Sequence, residues 1–207
     1  MIDRLENRDW KFHLSLWIFV GLVFVWSYVG CADRLTWMLE TFPVVLGTII
    51  LLFLYPTFRF SRLVCWFLAA HATVLMVGGH YTYADVPLFN WIRDHFHLAR
   101  NDYDRVGHFM QGFVPALVSR EVLIRRGVMK RGAWLNFVVV CICLAISAAY
   151  ELFEWQAAVW SGTKADAFLG TQGDPWDTQE DMATALVGAV IAVLTMRPWH
   201  DKSMERL

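Results

Sequence analysis

Apolar residues in this chain form long continuous runs rather than alternating with polar ones. Six stretches approach the ~20 apolar residues that a membrane-spanning helix needs. They cover residues 10–30, 35–55, 60–83, 105–124, 133–155 and 176–195. The first, second and fifth are plain. The third carries His71 and His80, and the fourth carries His108, Gln111 and Gly112. The sixth is short and rich in small residues (Ala183, Ala185, Gly188, Ala189, Ala192), which suits a helix packed tightly against its neighbours. The runs are far longer than the ~9–11 residues of a barrel strand. The pattern therefore predicts an all-α fold: a polytopic membrane helix bundle of six transmembrane helices, in a single domain spanning 1–207.

Composition narrows the class further. Hydrophobic residues make up 57% and charged residues 18%, with 15 Phe and 11 Trp, and mean hydropathy is +0.41. Soluble domains are nearer ~45–50% apolar and ~25% charged. Disorder, a basic nucleic-acid binder and an ordinary soluble enzyme are excluded. The net charge of −1 names no partner. The first apolar run exceeds the ~7–15 residues of a signal-peptide core, so it reads as an anchor.

Charge distribution predicts orientation. Thirteen basic residues fall at the N-terminus (Arg4, Arg8, Lys11), in the second loop (Arg59, Arg62), around the fourth (Arg120, Arg125, Arg126, Lys130, Arg131) and at the C-terminus (Arg197, Lys202, Arg206). Five fall on the other side: Arg34, Arg93, Arg100, Arg105 and Lys164. The excess of Lys and Arg marks the cytoplasmic side, which puts both termini there. Trp10, Trp37, Trp134, Trp155, Trp176 and Trp199 lie near helix ends, as an aromatic belt would. The two long loops, 84–104 and 156–175, then face outward. Of the cysteines only Cys31 lies near that side, so no intramolecular disulfide is expected.

Polar chemistry gathers at the outer helix ends. Helix two contributes Glu40, helix three ends in His80, Tyr81 and Tyr83, and helix four opens with Asp104, Arg105 and His108. Helix five closes with Glu151 and Glu154, and the last loop and helix supply Asp166, Asp174, Asp177 and Asp181. Asp104 and His108 are four apart, Glu151 and Glu154 three, and Asp177 and Asp181 four, so each pair shares a helix face. Ionisable groups are costly near lipid and turn inward to find partners, so a shared outer pocket is expected. The cytoplasmic ends show nothing comparable, only topology charges.

Three readings of the pocket stand side by side. One is a divalent metal (zinc, manganese or iron), with His80, His108, Glu151, Glu154, Asp177 and Asp181 as the ligand candidates. The second is metal-free acid–base catalysis by Asp104, His108 and Glu154. The third is a purely structural network in which Arg105 neutralises acids. Tyr81, Tyr83, Arg105 and Asp174 complete the expected pocket. Asp174-Pro175 also reads as a helix start, Thr178 with Asp181 as a capping arrangement, and Asn101-Asp102 as a cap of helix four. His71 reads as a hydrogen-bonded core histidine. Gly78-Gly79, Gly170 and Gly173 read as turns or close packing, since no phosphate-binding pattern surrounds them.

Four motifs together carry a family resemblance: Gly79-His80-Tyr81-Thr82-Tyr83; Asn101-x-Tyr103-Asp104-Arg105-x-x-His108-Phe109; Glu151-x-x-Glu154-Trp155; and Leu169-Gly170-Thr171-Gln172-Gly173-Asp174-x-Trp176-Asp177-Thr178-Gln179-x-Asp181-Met182. Over nearly the whole chain the sequence resembles the YjdF-type bacterial inner-membrane proteins. That resemblance implies a multi-pass plasma-membrane protein and no particular reaction. More distantly, Asp104-Arg105-x-x-His108, Glu151/Glu154 and Asp177/Asp181 with Gly188 are similar to VanZ-like membrane proteins, although Thr184-Ala185-Leu186-Val187-Gly188 replaces their Asn-x-x-Gly. This second similarity implies a lipid-linked or cell-envelope substrate on the outer face.

Three functions follow as expectations. The first is an outer-face hydrolase or transferase acting on a lipid or envelope precursor. The second is a cation- or proton-linked transporter, against which stands the lack of an inverted repeat or broken-helix pair. The third is an accessory subunit docking through Phe89, Trp91, Trp160 and Trp176. Membrane lipids are the expected surroundings, nucleic acid is not a partner, and no oligomeric state is implied.

Overall fold

The computed structural model describes residues 2–161 and 171–207. Lys164, Asp166 and the Leu169-Gly170 start of the last motif lie outside the described residues. Regular structure among the described residues is entirely helical. The elements are α1 (Ile2–Tyr28), α2 (Arg34–Leu54), α3 (Arg62–Tyr81), a 3-10 turn (Tyr83–Asp85), α4 (Pro87–Phe96), α5 (Tyr103–Arg125), α6 (Ala133–Ser161), α7 (Asp177–Thr195) and α8 (Arg197–Met204).

Long helices occupy all six expected stretches. Four segments, Trp10–Tyr28, Arg34–Leu54, Arg62–Tyr81 and Ala133–Trp160, are long and apolar enough to cross a membrane. α7 and α8 form a pair bent by 66°, which would supply a fifth crossing. The bend is a broken-helix feature that the sequence pattern did not reveal. α5 has the length, 23 residues, but carries polar groups at both ends. It is sheltered by α3, α6 and α7. Large apolar side chains face outward around the bundle, among them Leu22, Phe53, Trp134 and Leu194. So extensive an exposed apolar surface belongs against lipid. Trp10, Trp134, Trp155, Trp176 and Trp199 are exposed as a belt requires, but Trp37 is not. It is buried, and its indole N–H donates to Ser27 Oγ at 3.0 Å, tying α2 to α1.

The α5–α7 crossing is the closest in the bundle, and small residues permit it. A Cβ on Gly112 would overlap the Ala185 carbonyl, and one on Gly188 would overlap the Phe109 carbonyl. The buried Ala185, Ala189 and Ala192 continue this seam. The expected small-residue helix is therefore packed as anticipated. Below the seam, Phe113, Leu117, Val64, Leu135 and Val139 form the main core.

Local signals set several ends. Asp33 caps α2, accepting from the Thr36 N–H at 2.7 Å. That bond pulls the Asp33 carboxyl below its ordinary value. Pro87 opens α4, a short helix inside what the pattern read as a loop. Its Leu88, Trp91 and Phe96 are exposed. α7 begins at Asp177, later than the Asp174-Pro175 start expected. Asp174 instead accepts from the Trp176 N–H at 2.9 Å in the preceding turn. No side chain caps α7, so the capping arrangement of Thr178 with Asp181 is not formed. Asp102 likewise makes no cap bond at the start of α5. Asn101 Oδ1 does so, accepting from the Tyr103 N–H at 3.1 Å.

Candidate functional site

The acidic ends of α2, α5, α6 and α7 meet around His108. Asp104 lies one turn before it on α5. Its Oδ1 is 3.5 Å from His108 Nε2. Asp181 of α7 approaches the same nitrogen at 3.7 Å. Glu151 of α6 lies 3.6 Å from Nδ1, and Gln111 Oε1 lies 3.2 Å from it. Ligand atoms of Asp104, His108 and Asp181 all fall within 4.8 Å of one another. The imidazole–carboxylate gaps are longer than good hydrogen bonds.

A cavity of about 20 Å³ adjoins the imidazole, lined by Glu40, Tyr83, Asp104, Gly107, Tyr150 and Glu154, among others. Tyr83 fits it through missing side chains on two helices. A Cβ on Gly78 would run into the ring, and one on Gly107 would lie 2.9 Å from it. Close packing is thus the role of Gly78. Tyr150 Oη donates to Glu40 Oε2 at 3.4 Å.

Arg100 closes the cluster from the loop before α5. It pairs with Asp177 and reaches Asp104 and Asp174, each at 3.6 Å. Burial opposes its charge, but the Asp177 and Asp104 carboxylates outweigh that and raise its pKa. Further out, Arg105 pairs with Glu180 and with Asp102 at 3.5 Å, half exposed at the rim. Gln172 clamps the two acidic-end loops. Its Oε1 accepts from the Asn101 N–H at 3.0 Å, and its Nε2 donates to the Asn101 carbonyl at 2.8 Å.

The charge balance is lopsided. Glu40, Asp104, Glu151, Glu154, Asp177 and Asp181 are all buried, against one buried arginine, Arg100, and one histidine, His108. With every acid ionised and His108 protonated, these eight groups would carry four uncompensated negative charges. Glu151 Oε1 and Asp181 Oδ1 are buried without a hydrogen-bond partner. Buried carboxylates in that state need protons or a cation. The donor set of one imidazole and several carboxylates suits zinc, manganese or iron(II).

The anticipated residues are not all brought together. Asp104, His108, Glu151, Glu154, Asp181 and Tyr83 lie together at the acidic end. Asp177 is engaged by Arg100, and Asp174 and Arg105 stand at the rim. His80 and Tyr81 lie elsewhere. His80 Nδ1 is 3.0 Å from the Ser27 carbonyl, and its ring stacks on Trp26 at 4.6 Å. Tyr81 packs edge-on to His80. Glu40, Tyr150 and Gln111 also enter the site, so α2 contributes to it. Arg100, by its place in the sequence only a topology charge, belongs to the cluster.

The basic end corrects a second expectation. A buried network links α3, α5 and α8 there. Glu121 accepts from the Ser61 N–H at 2.8 Å and the Ser61 hydroxyl at 2.6 Å. It also accepts from Arg125 at 2.6 Å, and lies 3.1 Å from His200 Nε2. Arg120 donates to Asp201 at 2.8 Å. Both Glu121 oxygens are satisfied and three arginines, counting Arg131 on Asp201, offset two acids. This network holds helices; the acidic-end cluster has charge left over.

Comparison with known proteins assigns the chain. Residues 12–202 match the family model described as predicted membrane protein (DUF2238). The chain is 44% identical over 185 residues to "Inner membrane protein YjdF" of Escherichia coli (strain K12), covering 89% of this chain and 88% of that protein. Neither match is to a VanZ-like protein. No solved structure gives a significant match. With a helical bundle girdled by apolar side chains, the chain belongs to the DUF2238 family and is a multi-pass inner-membrane protein.

Proposed function

We propose that the acidic end faces the outer side of the membrane and binds a divalent cation there, serving a hydrolase or transferase reaction on a lipid-linked or cell-envelope precursor. The carrying observation is the excess of buried carboxylate around His108, with Glu151 Oε1 and Asp181 Oδ1 unsatisfied. Asp104, His108 and Asp181 are the ligand set, with Glu151 beside them. A cation there would polarise a bound oxygen atom. Glu154 and Glu40, at the cavity wall, take up and return protons. Tyr83 and Tyr150 orient those carboxyl groups. Arg100 holds Asp177 and fixes the start of α5. The basic end faces the cytoplasm, in line with the distribution of Lys and Arg.

Metal titration of the detergent-purified protein tests this reading. A ligand at 100 times its dissociation constant stabilises by ~2.7 kcal/mol. Zinc or manganese should raise the melting temperature of the parent and leave Asp181→Asn unmoved. Equal shifts in both would refute the assignment.

A second reading, cation or proton transport, is favoured by the cavity size. About 20 Å³ is room for an ion or a water. Proteoliposomes carrying the parent but not His108→Ala should then pass protons or divalent cations. Equal, background-level flux in both would count against it.

A further inference from the structure

We propose that the cleft between α1, α2 and α3 holds one acyl chain of an anionic phospholipid, with the headgroup against Arg59 and Arg62. The cleft has a volume of about 180 Å³, and its wall includes Leu16, Trp17, Val44, Gly47, Leu68 and Leu75. Cavities of ~150 Å³ lined by such groups stay dry and accept hydrocarbon. α3 packs against both α1 and α2, and Gly47 leaves the space between them unfilled. A Cβ on Gly47 would meet nothing within 4 Å. Trp17, Pro43 and Gly47 are half-buried, so the cleft reaches the surface. The side chains beside its mouth, Ile18, Leu46 and Ile50, are exposed and apolar. The cleft therefore opens toward lipid hydrocarbon, not water.

Its end is charged. Tyr55, Phe58 and Arg59 close it where α2 turns toward α3. The exposed Arg59 guanidinium lies 4.8 Å from the centre of the Tyr55 ring, and the Arg62 guanidinium lies 5.1 Å from that of Phe12. Arg125 and Arg126 sit over Phe58 at 4.2 and 4.9 Å. Among the described residues Arg59 has no carboxylate partner. Arg125 is held by Glu121, and the guanidinium groups of Arg59, Arg62 and Arg126 around the end of an apolar cleft match a phosphate on a hydrocarbon chain. The polar His71 Nε2, without a hydrogen-bond partner, belongs to the wall about two and a half helical turns into α3.

Native mass spectrometry of the full chain, delipidated and then offered phosphatidylglycerol or phosphatidylcholine, tests the proposal. The parent should retain one phosphatidylglycerol per chain and several-fold less phosphatidylcholine. Gly47→Leu, at a position where a Cβ meets nothing within 4 Å, puts a side chain into the cleft and should abolish retention. Arg59→Gln, at an exposed position, should weaken it about fivefold, the effect of one basic residue at a lipid surface. Retention by Gly47→Leu equal to the parent would overturn the proposal. So would equal retention of the two lipids, or an unchanged Arg59→Gln. Both variants should keep the parent's metal response, so failure here is separable from failure of the acidic-end site.

Discussion

Gly112→Ala should destabilise the bundle even though alanine is the better helix former. A Cβ at Gly112 would overlap the backbone carbonyl of Ala185, which cannot swing aside as a side chain could. α5 and α7 must separate to admit it. Overpacking costs roughly 1–3 kcal/mol, and a backbone obstacle puts this case at the upper end. Replacing a helical glycine by alanine returns about 0.5–1 kcal/mol, leaving a net loss of about 2 kcal/mol. For a chain of this size that is a fall of about 4–8 °C in melting temperature. Gly47→Ala is the control, because its Cβ meets nothing; it should melt about 1–4 °C higher than the parent. Thermal unfolding in one detergent at one scan rate reads both, since membrane-protein melting is prone to irreversibility. Gly112→Ala melting at or above Gly47→Ala would refute the close crossing. The stakes reach the site, because Gly112 lies one turn below His108 and the same seam sets the distance from α5 to Asp181.

Other consequences can be measured independently. Arg100→Gln should cost ~3–5 kcal/mol by leaving Asp177 buried and unpaired. Adding Asp177→Asn should recover part of that loss in a double-mutant cycle, and strict additivity would argue against the pair. Glu121→Ala should destabilise the basic end by a similar amount while leaving metal content unchanged; loss of metal would contradict its purely structural role. Asp33→Ala should cost ~1 kcal/mol at neutral pH. The Asp33 carboxyl lies below its ordinary value in the folded chain, so its stabilisation is present above that value and fades as pH falls through the folded-state pKa. The melting-temperature gap between parent and Asp33→Ala should narrow in acid, and a constant gap would refute a charge-assisted cap.

The long helices were legible because apolar runs of membrane-spanning length leave little choice of structure. α4 was not: ten residues between two turns give no such run. The cluster was half legible. Spacing put Asp104 with His108 and Asp177 with Asp181, but spacing alone does not fix the rotation of one helix against another. Gly79 packs on Glu40 and Trp37, and the next residue turns about 100° around the axis. His80 therefore meets Trp26 of α1 instead of His108. Acids at a helix start serve equally as caps or ligands, so spacing alone leaves Asp181 ambiguous; α7 begins at Asp177 with no side-chain cap. The Glu121–His200 contact joins residues 79 apart, with nothing local to announce it, and its arginines looked like topology signals.

Metal content is the most direct test of the acidic-end site. Protein purified without chelator, then offered zinc, manganese and iron(II) and desalted, should carry close to one metal per chain. The Asp104→Ala/His108→Ala double variant should carry none while remaining folded. Metal absent from both, or retained equally by both, would contradict a cation centre at His108.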